Sequence, residues 1–61
     1  MFDVYQRLRD EMGLTDYAVS KATGIPRSTF TEWRNGRYQP KIDKIAKLAK
    51  LFGVPIDEFY A

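Results

Sequence analysis

The sequence predicts an all-α domain of five short helices, and three observations carry that prediction. Apolar residues recur at spacings of three and four along most of the chain, the period of a helix with one buried face. Gly13, Gly24, Gly36 and Gly53 cut the 61 residues into segments of helix length. No segment alternates with period two for long enough to make a strand. Residues 1–61 are expected to form a single domain, small enough to depend on efficient helix packing.

Each segment has its own signals. Phe2 to Met12 places Tyr5, Leu8 and Met12 on one stripe, with Arg7, Arg9 and Asp10 off it, and Gly13 supplies the stop. Thr15 reads as the N-cap of a second helix running to about Ala22, with Asp16 in the first turn, where the helix dipole favours a carboxylate. Thr23-Gly24-Ile25 is a turn, and Pro26 suits the start of the third helix. In Pro26 to Arg34, at about 100° per residue, Pro26, Phe30 and Trp33 gather on one side. Arg27, Ser28, Thr31 and Glu32 gather on the other. Asn35-Gly36 closes that helix, and Arg37 to Pro40 is a loop. In the fourth helix, Ile42, Ile45, Ala46, Ala49 and Phe52 recur with helical period up to Gly53. Pro55 then opens a last turn that buries Ile56 and Phe59. The expected core joins Phe30 and Trp33 to Ile45 and Leu48 or Ala49.

Composition narrows the function classes. The chain holds no cysteine and no histidine. Disulfides, thiolate or imidazole metal sites and imidazole catalysis are thereby excluded, and no cofactor, metal or small-molecule ligand is expected. The remaining candidate catalytic groups, Asp43, Asp57 and Glu58, are better explained as helix-start residues. The apolar stretch Leu51 to Ile56 is interrupted by Gly53 and Pro55 and is far too short to span a membrane. The start Met1-Phe2-Asp3 lacks the basic character of a signal peptide. A cytoplasmic, non-enzymatic domain is expected. Net charge is only +2, but residues 21–50 hold eight Lys and Arg against Glu32 and Asp43. Positive charge concentrated in mid-chain suits a surface that meets phosphates; a solvated surface serving only solubility is the alternative.

The ordered series Leu14-Thr15, Val19-Ser20, Gly24-Ile25, Ser28-Thr29-Phe30, Trp33, Gly36, Pro40, Leu48-Ala49, Phe52-Gly53-Val54 and Asp57-Glu58-Phe59 resembles the Cro/repressor (XRE-like) type of helix-turn-helix domain. The match runs without a gap from about Tyr5 to Tyr60, with the motif itself at about residues 15–35. It implies a compact five-helix, lambda-repressor-like bundle that binds DNA, usually as a dimer on a symmetric operator. Val19, Ile25, Phe30 and Trp33 fall where that family buries apolar residues, and Ser20 falls where a small residue lets two helices touch. The chain departs from the family at Asp16, where glutamine is common. It departs again at Pro26 and Pro55, where Ser or Thr caps are usual, and at Arg34, where an acid often precedes the Asn-Gly pair.

Site residues follow from that placement. Arg27 lies at the start of the helix that enters the major groove and can pair bidentately with guanine O6 and N7. Ser28 and Thr31 are short enough for close approach to base edges, and Thr31 suits a thymine methyl. Glu32 is open to three readings: it accepts from cytosine N4, forms an internal ion pair, or discourages wrong sequences. Thr29, Asn35, Arg37, Tyr38, Lys41 and Lys44 surround the loop and the start of the fourth helix and are expected at phosphates. Asp16 is expected beside Arg27, orienting its guanidinium. Tyr17 is expected to be exposed and has no assigned role. The resulting expectation is a transcriptional regulator of phage or bacterial type, a repressor that binds a palindromic duplex operator as a homodimer. The alternative is a protein-interaction module that keeps the fold without binding DNA, a reading prompted by the two acids Asp16 and Glu32 near the expected DNA face.

Overall fold

A computed structural model describes all 61 residues. Four α-helices precede a single 3₁₀ turn: α1 (Phe2–Glu11), α2 (Asp16–Thr23), α3 (Arg27–Arg34), α4 (Ile42–Phe52) and the turn Ile56–Phe59. The all-α class is as expected, but the fifth element is one turn rather than an α-helix. Pro55 holds its entry extended, and only four residues remain before Tyr60. No helix is long and apolar enough to cross a membrane.

The helix ends follow the capping chemistry. Thr15 accepts from the Ala18 N–H at 3.1 Å and so caps α2. At the end of α3 the Arg37 N–H reaches the Glu32 carbonyl at 2.9 Å and the Gly36 N–H reaches Trp33 at 3.0 Å. This is a Schellman closure whose middle residue must be left-handed, and Gly36 supplies φ +75°. Pro26 stands just outside α3, which begins at Arg27, and Pro26 is exposed rather than on the buried face.

Ten residues form the core: Tyr5, Leu8, Val19, Ile25, Phe30, Trp33, Ile45, Leu48, Ala49 and Phe59. The expected set of Phe30, Trp33, Ile45, Leu48 and Ala49 is among them. Aromatic contacts fix the centre, with the Tyr5 ring stacked on Phe30 at 4.8 Å and 8° and the Phe2 ring edge-on to Trp33 at 5.4 Å. Helix α4 lies against α1, α2 and the 3₁₀ turn, while α3 packs on α2. Three further expected core positions fall outside. Met12 is 50 % exposed, because α1 ends one residue before it. Ile42 is 65 % exposed and Ala46 is exposed as well; the buried stripe of α4 runs through Leu48 instead.

Candidate nucleic-acid interface

The two helices of the motif are tied by side chains as well as by packing. Gly24 ends α2 in the left-handed region at φ +79°, which only glycine adopts without strain. Across that turn the Thr23 hydroxyl donates to the Val19 carbonyl at 2.8 Å and accepts from the Ile25 N–H at 3.2 Å. The Ser20 hydroxyl donates to the Ile25 carbonyl. Ser20 therefore does more than stay small: it bonds the chain leaving α2 to the chain entering α3.

Helix α3 divides cleanly. Phe30 and Trp33 are buried, whereas Arg27, Ser28 and Thr31 are exposed and Thr29 and Glu32 are half-buried. Neither Ser28 nor Thr31 makes a side-chain hydrogen bond within the protein. Ser28, Thr29, Glu32, Arg37 and Tyr38 come together around one open groove of about 300 Å³. Asn35 and Lys41 are exposed at the two ends of the loop that joins α3 to α4, and Lys44 is half-buried in the first turn of α4.

The acids near this face are both neutralised. Glu32 receives a two-pronged ion pair from Arg37, with Nε to Oε1 at 3.0 Å and Nη2 to Oε2 at 2.8 Å. Those bonds hold the Glu32 carboxyl below its ordinary range. Of the three readings open for Glu32, the internal ion pair is the one formed in the free protein. Asp16 pairs with other residues than the expected Arg27. Its Oδ1 accepts from the Tyr5 hydroxyl at 2.6 Å and from Arg9 Nη1 at 2.8 Å, and no ion pair joins it to Arg27. Partial burial pushes its carboxyl upward, but the bonds from Tyr5 and Arg9 and the positive charges of Arg9 and Arg34 outweigh that, and the carboxyl lies below its usual value. Burial and the adjacent carboxylate push the Tyr5 hydroxyl well above its ordinary value. Arg9 also bonds Asp10, at 2.9 Å, so one guanidinium bridges the end of α1 to the start of α2.

Asp16 thus anchors α2 to α1, through two residues that sequence reasoning assigned only to the core and to the solvated face. A usable signal existed: a tyrosine on a buried stripe needs a partner for its hydroxyl. The partner of Arg27 was missed too. Its guanidinium carbon lies 5.6 Å from the centroid of the Tyr17 ring.

The sequence that forms α2, the turn and α3 lies within residues 6–59, which match the helix-turn-helix family. The chain belongs to the helix-turn-helix family. Two regulators are similar to this helix-turn-helix chain. The cryptic phage CTXphi transcriptional repressor RstR of Vibrio cholerae is 37 % identical over 51 residues, covering 84 % of this chain and 46 % of that protein. An uncharacterised HTH-type transcriptional regulator of Methanocaldococcus jannaschii is 34 % identical over 47 residues, covering 77 % of this chain and 71 % of that protein. The helix-turn-helix chain spans less than half the length of the Vibrio relative. No solved structure matches it.

Proposed function

We propose that the chain binds duplex DNA in a sequence-specific manner as a transcriptional repressor, with two copies on a symmetric operator and α3 in the major groove. The observation that carries this reading is the outer face of α3. Arg27, Ser28 and Thr31 project from it and bond nothing in the fold through hydrogen bonds or ion pairs, while Phe30 and Trp33 hold the helix from behind. Arg27 then reads a guanine, Ser28 and Thr31 approach neighbouring base edges, and Glu32 reaches a base only on releasing Arg37. Thr29, Asn35, Arg37, Tyr38, Lys41 and Lys44 serve as phosphate contacts that set register without reading sequence. A single helix reads only a few base pairs, so two half-sites about one helical turn apart supply the affinity a regulator needs. The name of the Vibrio relative supports transcriptional repression, and that of the Methanocaldococcus relative supports transcriptional regulation. The two acids that favour a protein-interaction module are each paired with an arginine, which weighs against that alternative.

Selection of bound sequences from random duplex DNA, followed by sedimentation on the winner, tests the proposal. A symmetric site carrying two chains and an affinity that falls steeply with salt are expected. Arg27→Ala should weaken the best site by about 1–3 kcal/mol and flatten preference at one position of each half-site. No duplex affinity at low salt would refute the function, and one chain per site at saturation would refute the dimer.

A further inference from the structure

Tyr17 is the second residue of α2 and Arg27 the first of α3, so the turn of the motif brings two side chains from different helices to one edge of the reading face. The Tyr17 ring is 54 % exposed and lies outside the core. The Arg27 guanidinium carbon stands 5.6 Å from its centroid, within cation–π range. Lys21, one turn further along α2, places its ammonium 5.9 Å from the same centroid. A half-exposed aromatic ring outside the core that stands beside two cations is not explained by folding.

We infer that Tyr17 is a positioning residue for base reading: its ring holds the Arg27 guanidinium while leaving the N–H groups free for a guanine. This deepens the duplex-binding reading and rests on it. The chemistry favours a ring over a carboxylate for the task. A carboxylate would accept the very N–H groups that guanine O6 and N7 require, and would cancel the positive charge that draws the side chain to DNA. An aromatic face attracts the cation through its quadrupole and takes up none of the five donors. Asp16, adjacent to Tyr17 in the chain, is occupied by Tyr5 and Arg9, and Glu32 by Arg37, so neither acid competes. An arginine already leaning on a ring has less rotamer freedom to lose on binding. Lys21 adds a second positive charge at the same ring, which strengthens attraction for the electronegative groove edge.

The test compares wild type with Tyr17→Leu, Tyr17→Phe, Arg27→Ala and the Tyr17→Leu/Arg27→Ala double variant. Each is titrated on the selected duplex and on duplexes substituted at every position of the half-site, after thermal melting has shown that Tyr17→Leu melts like wild type. Tyr17→Leu is expected to weaken the best site about two- to fivefold. It should narrow discrimination at the same base pair that Arg27→Ala affects, leave the salt slope unchanged, and add nothing in the Arg27→Ala background. Tyr17→Phe, which keeps the ring, should retain both affinity and preference. The inference is overturned if Tyr17→Leu weakens all duplexes alike with a shallower salt slope, if its loss persists undiminished without Arg27, or if Tyr17→Phe behaves as Tyr17→Leu does, because each of these makes the phenol itself the contact. A wild-type chain without duplex affinity overturns the functional reading together with this one, whereas sequence-specific binding with unchanged preference in Tyr17→Leu overturns this one alone.

Discussion

Replacing Asp16 by asparagine removes one negative charge and almost no volume. In the native protein Oδ1 of Asp16 takes hydrogen bonds of 2.6 Å from Tyr5 and 2.8 Å from Arg9. The carboxylate and guanidinium side chains are 25 % and 16 % exposed. A hydrogen bond to a charged group contributes about 1.5–3 kcal/mol net, and a neutral one about 0.5–1.5 kcal/mol. Asparagine still offers an acceptor, so the loss is the difference over two bonds, reduced by partial solvent screening to about 1–2 kcal/mol. In a domain of this size that lowers the melting temperature by roughly 5–15 °C. The effect has a signature in pH. The folded carboxyl titrates below its ordinary value, and the unfolded one titrates near about 3.9. Its stabilisation is complete above the unfolded value and is lost as pH falls through the folded one. Asp3 and Glu32 also lie below their ordinary values, held down by the amino terminus and by Arg37 respectively. Both persist in the variant and cancel in the comparison. Urea denaturation of the two proteins from neutral pH down to about pH 2 should therefore show a gap that is full at neutrality and shrinks below about pH 4. A gap independent of pH, or a variant more stable than wild type at neutrality, would show that Asp16 does not anchor α2.

Trp33→Ala should cost about 3–5 kcal/mol by leaving a cavity beneath α3, which in a small domain leaves little folded population by circular dichroism. Glu32→Gln releases Arg37 from its ion pair and should raise affinity for all duplexes and steepen the salt dependence by roughly one unit; unchanged binding would mean that Arg37 does not reach a phosphate. Lys44→Ala should do the reverse, weakening specific and random duplexes alike and reducing the salt slope by roughly one unit. Gly24→Ala meets no atom within 4 Å, so its cost is backbone strain alone, about 1–2 kcal/mol, and Gly24→Asn should melt closer to wild type.

What the residues revealed in advance was mostly local. Thr15, Gly24, Gly36 and Gly53 marked helix ends because capping and left-handed backbone are decided within a few residues. The phase of α3 was legible because two large aromatics and a run of short polar residues occupy opposite sides. Misplacements arose where a local pattern runs past its neighbours. Ile42 keeps helical period with Ile45, but it sits in the first turn of α4, where solvent rather than another element faces it. Met12 continues the α1 stripe beyond the last residue of the helix. The candidate site was legible as a set of exposed or half-buried positions but not as a set of pairings. Whether Asp16 meets Arg27 or Arg9 depends on how α1 crosses the start of α2, and no spacing within one helix specifies that. Tyr17 was unassigned for the same reason, since its neighbour comes from the next helix.

The two-sidedness of α3 has an evolutionary consequence. Substitutions at positions that neither pack nor cap change stability by no more than about 0.5 kcal/mol, and Ser28 and Thr31 are such positions, with Arg27 bound to the fold only through one exposed ring. Phe30 and Trp33, on the far side, fix where the helix lies whatever its outer residues become. If that face reads DNA as proposed, a lineage can therefore drift through many outer-face sequences, trading one target for another, without crossing a generation whose protein fails to fold. On the proposed reading, mutational tolerance and chemical consequence are greatest at the same three side chains, which would make the domain a mount on which new specificities arise at little risk to the scaffold.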